Sequence, residues 1–453
     1  MMPMVEVAGP SVRDDRNRIG HSGRLINCYR EPVMAGGRTR AVLQAVPGMQ
    51  LHETLPSVFM RAMRTIDGAL YVACGGYLYR ITTGAAVNLG AITDSEETTI
   101  AGHDGYVTVV AGGSYYVWNG ATLTSPAVGA ITDHGSVDHV SSYTIISERN
   151  GKRFEWSALA DATSLPGLNF ASATERDDDL LRVVAINGAV WLFGTASTEI
   201  WYETGLSGAD AFAQMAGASK DTGLKAFGLV CTFNGGAFFV GDDDLVRVTS
   251  GADFEVVSMP GVVSAIKDSS PSKCIYYEDR GHKFCAIVFD DRPAWVFDLA
   301  TREWHERSEN VMHEPWGVTA SAKLGADWFV GRNNGDISKL AEIYTDEATP
   351  LVREAVSATL YADGDRTTLA ELEFFAPVGR QDAGREPVLE FFISSDGGET
   401  WGKGRTIGFG AIGAYGKRLI WRALGRHRQI TAKVRISDPV DALLYSDARV
   451  RLA

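Results

Sequence analysis

Five cysteines stand in 453 residues, Cys28, Cys74, Cys231, Cys274 and Cys285, an odd number with no C-x-x-C pair. They read as free, mostly buried thiols in a chain made in a reducing compartment rather than as a disulfide framework. No apolar run approaches ~18 residues, so no spanning helix is expected. The start, MMPMVEVAGPSVRDDRNR, has no basic n-region and no apolar h-region, so it does not read as a signal peptide. The sequence also lacks a G-x-x-x-x-G-K-[ST] phosphate loop and a G-x-S-x-G nucleophile elbow. No cofactor is expected.

Charge is ample but unevenly placed. The net charge is −13. Residues 1–60 hold seven arginines against five acids, and residues 351–453 hold fifteen bases against thirteen acids. The stretch 61–350 is left with 21 bases and 38 acids, a balance of −17. An acidic body does not grip a phosphate backbone, which needs Lys and Arg to displace counterions. It would repel DNA and let it slide past. Solubility alone is the plainer reading of the same charge.

What is present is glycine, 49 residues, and aromatics at 10%, a mix suited to short strands and tight turns. Seven turn dipeptides punctuate residues 67–325: Asp67-Gly68, Asp104-Gly105, Asn150-Gly151, Asn187-Gly188, Asn234-Gly235, Arg280-Gly281 and Leu324-Gly325. Asn-Gly and Asp-Gly favour type I′ hairpins, whose two central residues need positive φ. Each is followed by an apolar run and a second strand, as in ALYVACGGYLYRI and AVWLFGTASTEIWY. Strand–turn–strand repeats of ~40–50 residues predict a β-propeller over 56–345. Six or seven blades are open, because the unit SSYTIISERNGKRFEWSAL is irregular.

The last hundred residues alternate differently. Leu389, Phe391 and Ile393 share one face of a strand, while Glu390, Phe392 and Ser394 share the other. This predicts an antiparallel β-sandwich over 346–453, of six or seven strands. The stretch EIYTDEATPLVREAV is expected as the linker. Residues 1–55 lack a period and are expected as an N-terminal arm, extended or completing the C-terminal sheet. The fold class is therefore all-β: a propeller with a C-terminal sandwich.

The motifs that carry chemistry are few. SSDGGETW fits the turn signature S-x-D-x-G-x-T-W, the Asp box, through Ser394, Asp396, Gly398, Thr400 and Trp401. Its carboxylate and hydroxyl can bond turn amides and its glycine permits positive φ, which explains a hairpin without any substrate. Asp177–Asp179 and Asp242–Asp244 lack the spaced pattern of a calcium loop and read as solvated turns. His134 and His139, with Asp133 and Asp138, lack a third anchored zinc ligand. Glu199 and other acids could serve glycoside hydrolysis, but an acidic propeller supplies such pairs by chance. No catalytic or metal residue is assigned. The densest basic stretch, with Arg422, Arg426, Arg428, Lys433 and Arg435, is a solvated strand face or a partner contact.

In their order and spacing, GRLINCYRE, AVPGMQ, LFGTASTEIWYETG, DTGLKAFGLVCTFNGGAFFVGDDDLVRV, AWVFDLATREWHER, SSDGGETW and IWRALGRHRQITAKVRISDPV resemble the packaged-DNA stabilisation proteins of short-tailed bacteriophages. The resemblance spans nearly the whole chain and is thinnest at the third repeat. It implies a structural virion protein, a tail hub assembled in the host cytoplasm as a hexameric ring at the portal vertex. It further implies contacts with portal and adaptor proteins, with tail spikes or fibres and with a needle plug, and DNA passing the lumen without sequence-specific binding. The rival is a glycan-binding or glycan-hydrolysing propeller, which repeated Asp boxes would favour. A scaffold propeller of the WD or kelch sort would carry blade signatures that do not recur here.

Overall fold

The computed structural model describes residues 4–14, 23–35, 38–82, 85–361, 365–380, 385–442 and 444–452. Part of the expected arm, 15–22, lies outside the described residues.

Six consecutive four-stranded antiparallel units span 60–91, 98–124, 134–172, 180–214, 230–256 and 271–307. A seventh is formed by Val318–Leu324, Asp327–Arg332 and Asp336–Ala341, with Gly48–Thr54 as its fourth strand. These are seven blades. The last is closed by a strand from the other end of the chain, inside the stretch expected as an arm. The closing strand completes the ladder of blade seven, and blades one and seven then pack face to face through an apolar cluster.

Strand Ala69–Cys74 shows why the blades form. All six of its residues are buried. Leu70, Val72 and Cys74 pack toward blade seven, while Ala69, Tyr71 and Ala73 pack toward blade two. A strand sandwiched between two neighbours buries both faces, and each full burial of a Val or Leu contributes roughly 1.5–3 kcal/mol. Seven apolar clusters of this kind fill the seven interfaces of the ring.

The turns follow the dipeptides with one change of phase. Asp67-Gly68, Asp104-Gly105, Asn187-Gly188 and Arg280-Gly281 have positive φ at both positions and join the first two strands of their blades. In blade three that turn is instead made at Ser141, φ 51°. Asn150-Gly151 falls between the second and third strands, Tyr143–Glu148 and Arg153–Trp156.

The C-terminal region is a two-layer sandwich. One sheet has the order Met4–Glu6, Asp447–Leu452, Thr367–Phe374, Leu419–Arg422. The other has the order Arg353–Val356, Gln429–Ile436, Val388–Ser394, Arg405–Gly408. Leu389 and Phe391 lie in the core between them, with Phe374 and Trp421. The N-terminal strand Met4–Glu6 pairs with Asp447–Arg449.

The two regions are joined by more than a connector. Strand Arg24–Ile26 runs parallel to Trp304–Arg307 of blade six on one side. On its other side it pairs antiparallel with Arg353–Val356 of the sandwich. Blade six and a sandwich layer thus form one continuous ten-stranded sheet. The stretch expected as a linker is also structured, with Asp346 pairing Met49 and Thr345–Asp346 folding back on Thr349–Pro350. Residues 11–14 run along blade six, where Ser11 N–H donates to Trp304 O at 2.9 Å. They pass so close to the helix Pro260–Asp268 that a Cβ on Gly261 would meet Arg13 O.

Candidate functional site

The Asp box forms a self-contained turn after Val388–Ser394. The Ser394 hydroxyl accepts from Gly398 N–H at 2.9 Å and from Asp396 N–H at 3.2 Å, and donates to Asp396 Oδ1 at 2.5 Å. The Asp396 carboxylate accepts from Thr400 N–H at 3.0 Å and from the Thr400 hydroxyl. Gly397 and Gly398 take φ of 78° and 95°. The Ser394 and Thr400 bonds hold the Asp396 carboxyl at a pKa of about 2. Both carboxylate oxygens are therefore engaged inside the turn.

Trp401 of this turn faces a cleft of about 280 Å³ at the sandwich–propeller junction, lined also by Arg13, Arg24, His313, Glu354, Lys433 and Arg435. The basic stretch divides here. Lys433 is buried, 4.3 Å from the Trp401 ring centroid and 4.9 Å from that of Phe392. Arg435 bonds Glu354 at 2.9 Å. Burial would raise the Glu354 pKa, but His313, Lys433 and Arg435 outweigh it and hold the carboxyl down to about 2. Arg422, Arg426 and Arg428 remain exposed. Arg422 reaches Glu371 at 3.1 Å, and Arg426 donates to Arg366 O at 3.0 Å.

The other candidates are occupied locally. Asp178 accepts from the Ala196 and Ser197 N–H groups at 2.8 and 3.0 Å, and Asp177 pairs with Lys152. Asp243 takes both Arg247 nitrogens, at 2.7 and 2.6 Å, while Asp242 accepts from Gly223 N–H and Asp244 pairs with Lys225. Glu199 accepts from Glu175 N–H at 2.8 Å and Trp201 Nε1 at 3.0 Å. His134 lies 3.4 Å from Glu155 while His139 stacks on His103, so the two imidazoles face different partners. Among the described residues no three His, Cys, Asp or Glu gather around a point a metal could occupy. The five cysteines are free thiols. Among the described residues no helix is long and apolar enough to cross a membrane.

A further feature of the propeller corresponds to no sequence motif. The innermost strands enclose an axial cavity of about 380 Å³ whose lining includes Arg61, Arg64, Arg182, Lys273 and Lys323. They interrupt first strands that are otherwise largely apolar or hydroxyl-rich, two in MRAMRTI and one each in LLRVVAI and VTASAKL, while Lys273 lies near the start of PSKCIYYED. That interruption was the only local signal.

Two family models tile the chain. The bacteriophage P22 Gp10 β-propeller matches residues 24–342, and the bacteriophage P22 Gp10 β-sandwich matches residues 352–452. No curated relative matches. Among solved structures the chain is similar to the computationally designed protein Ika8, at 12% identity and TM-score 0.42, covering 74% of this chain and 100% of that one. A chain of the mitotic checkpoint complex is similar at 12% identity and TM-score 0.46, with coverage of 64% and 94%. PorZ of the type-IX secretion system of Porphyromonas gingivalis is similar at 12% identity and TM-score 0.42, with coverage of 71% and 44%. Superpositions this loose carry no argument. The two family models do, since they cover both regions with the architecture the strands display: the chain belongs to the bacteriophage P22 Gp10 family of phage stabilisation proteins.

Proposed function

We propose that the chain is the tail hub of a short-tailed phage. Six copies form a ring beneath the portal and its adaptor proteins, close the portal vertex and retain packaged DNA. The ring also offers the attachment surface for tail spikes or fibres and for the needle plug. The observation that carries this reading is the pair of family matches over propeller and sandwich.

The physical chemistry supports it. A closed ring needs one heterologous contact repeated by rotation. The acidic propeller and the exposed Arg422, Arg426 and Arg428 edge of the sandwich offer complementary charge for a head-to-tail contact. Leu168 and Met312, each 77% exposed, and Tyr415, 67% exposed, are apolar side chains such a contact can cover. The sheet shared by blade six and the sandwich lets each subunit bear load as one body. The −17 balance of residues 61–350 suits a ring wall that passes DNA by repulsion rather than binding. Free thiols suit assembly in the host cytoplasm before residence at the tail vertex. No catalytic role is assigned: the Asp box engages its carboxylate in its own turn and leaves nothing to a sugar.

Immunogold labelling of intact particles tests the placement. Gold confined to the tail vertex is the expected result. Protein found only in the soluble fraction, with unlabelled particles, sinks it. Mass photometry of the purified protein, alone and with the portal and adaptor, reads the ring size.

A further inference from the structure

The innermost strands of blades one, four, six and seven share a defect. Each has a β-bulge between its first and third residues: Met60 and Ala62, Leu180 and Arg182, Pro271 and Lys273, Val318 and Ala320. A bulge leaves one residue unpaired and re-aims the side chains around it, often beside a binding site. Here those side chains include Arg61, Arg182 and Lys273, and all three line the axial cavity.

Two of these cations have no carboxylate of their own. Among the described residues Arg182 and Lys273 form no ion pair. Arg182 Nη1 donates to Phe227 O at 3.1 Å, and Lys273 Nζ donates to Arg61 O at 2.9 Å. Asp138, whose charge reaches Arg182, is held by Arg64 at 2.9 Å. Glu96, whose charge reaches Lys273, lies 3.6 Å from Arg61. Arg182 Nε and Thr65 Oγ1, both within the cavity lining, are buried without a hydrogen-bond partner. Both cations are half-buried, and a cation withdrawn from bulk water is held best where an anion or a full set of acceptors replaces its lost hydration. Burial, with Arg182 and Arg61 nearby, pushes the Lys273 pKa down to about 8, the direction expected of a site short of negative charge.

We propose that the axial cavity binds a small tetrahedral oxyanion of the phosphate or sulfate type, held between the Arg182 guanidinium and the Lys273 ammonium. A planar guanidinium fork suits two oxygens of such an ion, and the ammonium suits a third. The cavity is too small for a duplex, so the site is separate from the DNA path and stands whether or not the chain is a tail hub.

The test is isothermal titration of the full-length protein with sodium phosphate, sulfate and acetate in a buffer free of other oxyanions. The variants are Arg182→Gln, Lys273→Met and, as a control outside the cavity, Lys220→Ala. Phosphate and sulfate are expected to bind the native protein and the control at one site per chain, more tightly than acetate. Arg182→Gln and Lys273→Met are expected to lose about tenfold or more in affinity. Phosphate is expected to raise the melting temperature of the native protein and not of those two variants. Melting in the absence of oxyanion shows whether each variant is folded, and Arg182→Lys or Lys273→Gln, expected to weaken binding in the same direction, replaces one that is not. Native protein that binds neither ion, or binding undiminished in the cavity variants, overturns the site. Acetate binding as tight as phosphate overturns the tetrahedral preference.

Discussion

Arg24 donates two hydrogen bonds to Glu306, from Nε to Oε1 at 2.7 Å and from Nη2 to Oε2 at 2.6 Å. The pair sits on the seam where Arg24–Ile26 joins blade six to the sandwich. Its side chains are 13% and 5% exposed, so the carboxylate depends on this fork rather than on water. Arg24→Ala removes the fork and strands a buried charge, at a cost of about 3–5 kcal/mol. The expected outcome in urea is a lower midpoint and a separate early transition, read by tryptophan fluorescence. Arg24→Lys recovers only part, because an ammonium cannot make the planar two-point contact. A single transition at an unchanged midpoint in Arg24→Ala would show that the seam does not couple the two regions.

A second prediction concerns acid. His305 is buried beside Tyr29 and Phe284, at ring distances of 6.0 and 5.3 Å, and its Nε2 has no hydrogen-bond partner. Burial drives its pKa down, Asp298 opposes, and Arg307 and His282 add to the fall, leaving it at about 3. The unfolded chain titrates this group near ~6.5. Between those values the unfolded state holds a proton that the native state refuses, so stability falls as the pH drops. One such group contributes a slope of up to about 1.4 kcal/mol per pH unit. His305→Phe keeps a ring in the site and cannot titrate. Its urea midpoint is expected to depend less on pH than that of the native protein between pH ~6 and ~4. Parallel curves for the two proteins would rule out His305 as the source.

The blades were legible where both strands of a hairpin are local. ALYVAC reads as a strand because it is short and wholly apolar, and the structure explains this by burying alternate residues against two different blades. Asp67-Gly68 marks its turn because few other residues accept positive φ at both positions. Gly48–Thr54 was not legible as a blade strand. Its partner is distant, with Thr54 bonding Asp336 across 282 positions, and nothing local distinguishes it from an arm. Asn150-Gly151 misled on phase, since the same turn chemistry serves any hairpin of a blade. The axial cations were hidden for a related reason. Arg182 and Lys273 share a cavity only once the ring has closed, so no window of sequence contains both with their surroundings.

The Asp box yields a prediction that separates a turn from a sugar site. Asp396→Ala removes acceptors for Thr400 N–H and the Thr400 hydroxyl together. Hydrogen bonds to a charged group contribute about 1.5–3 kcal/mol, and a partly solvated turn lies at the low end of that range. The variant is expected to melt a few degrees lower and to be cut faster by protease within 394–401. Particles carrying it are expected to adsorb and eject normally. Loss of adsorption by particles in which the variant remains folded would return the glycan reading to consideration.

The interblade clusters can be weighed through Phe239. It is fully buried at the interface of blades four and five, with ring centroids 4.8 Å from Phe254 and 5.2 Å from Phe193. Phe239→Ala opens a cavity that rigid strands on both sides cannot fill, and such truncations cost about 3–5 kcal/mol. Phe239→Leu keeps most of the volume and is expected to lose far less. A propeller is closed, so a gap at one interface loosens contacts that run around the ring. Hydrogen exchange is therefore expected to quicken first in the inner strands of blades four and five, Leu180–Ile186 and Val230–Phe233, with the sandwich strands Val388–Ser394 and Gln429–Ile436 remaining protected. Uniform acceleration across both regions would mean that the shared sheet makes the chain a single cooperative unit. Selective acceleration would mean that the blades open individually while the sheet through Arg24–Ile26 holds.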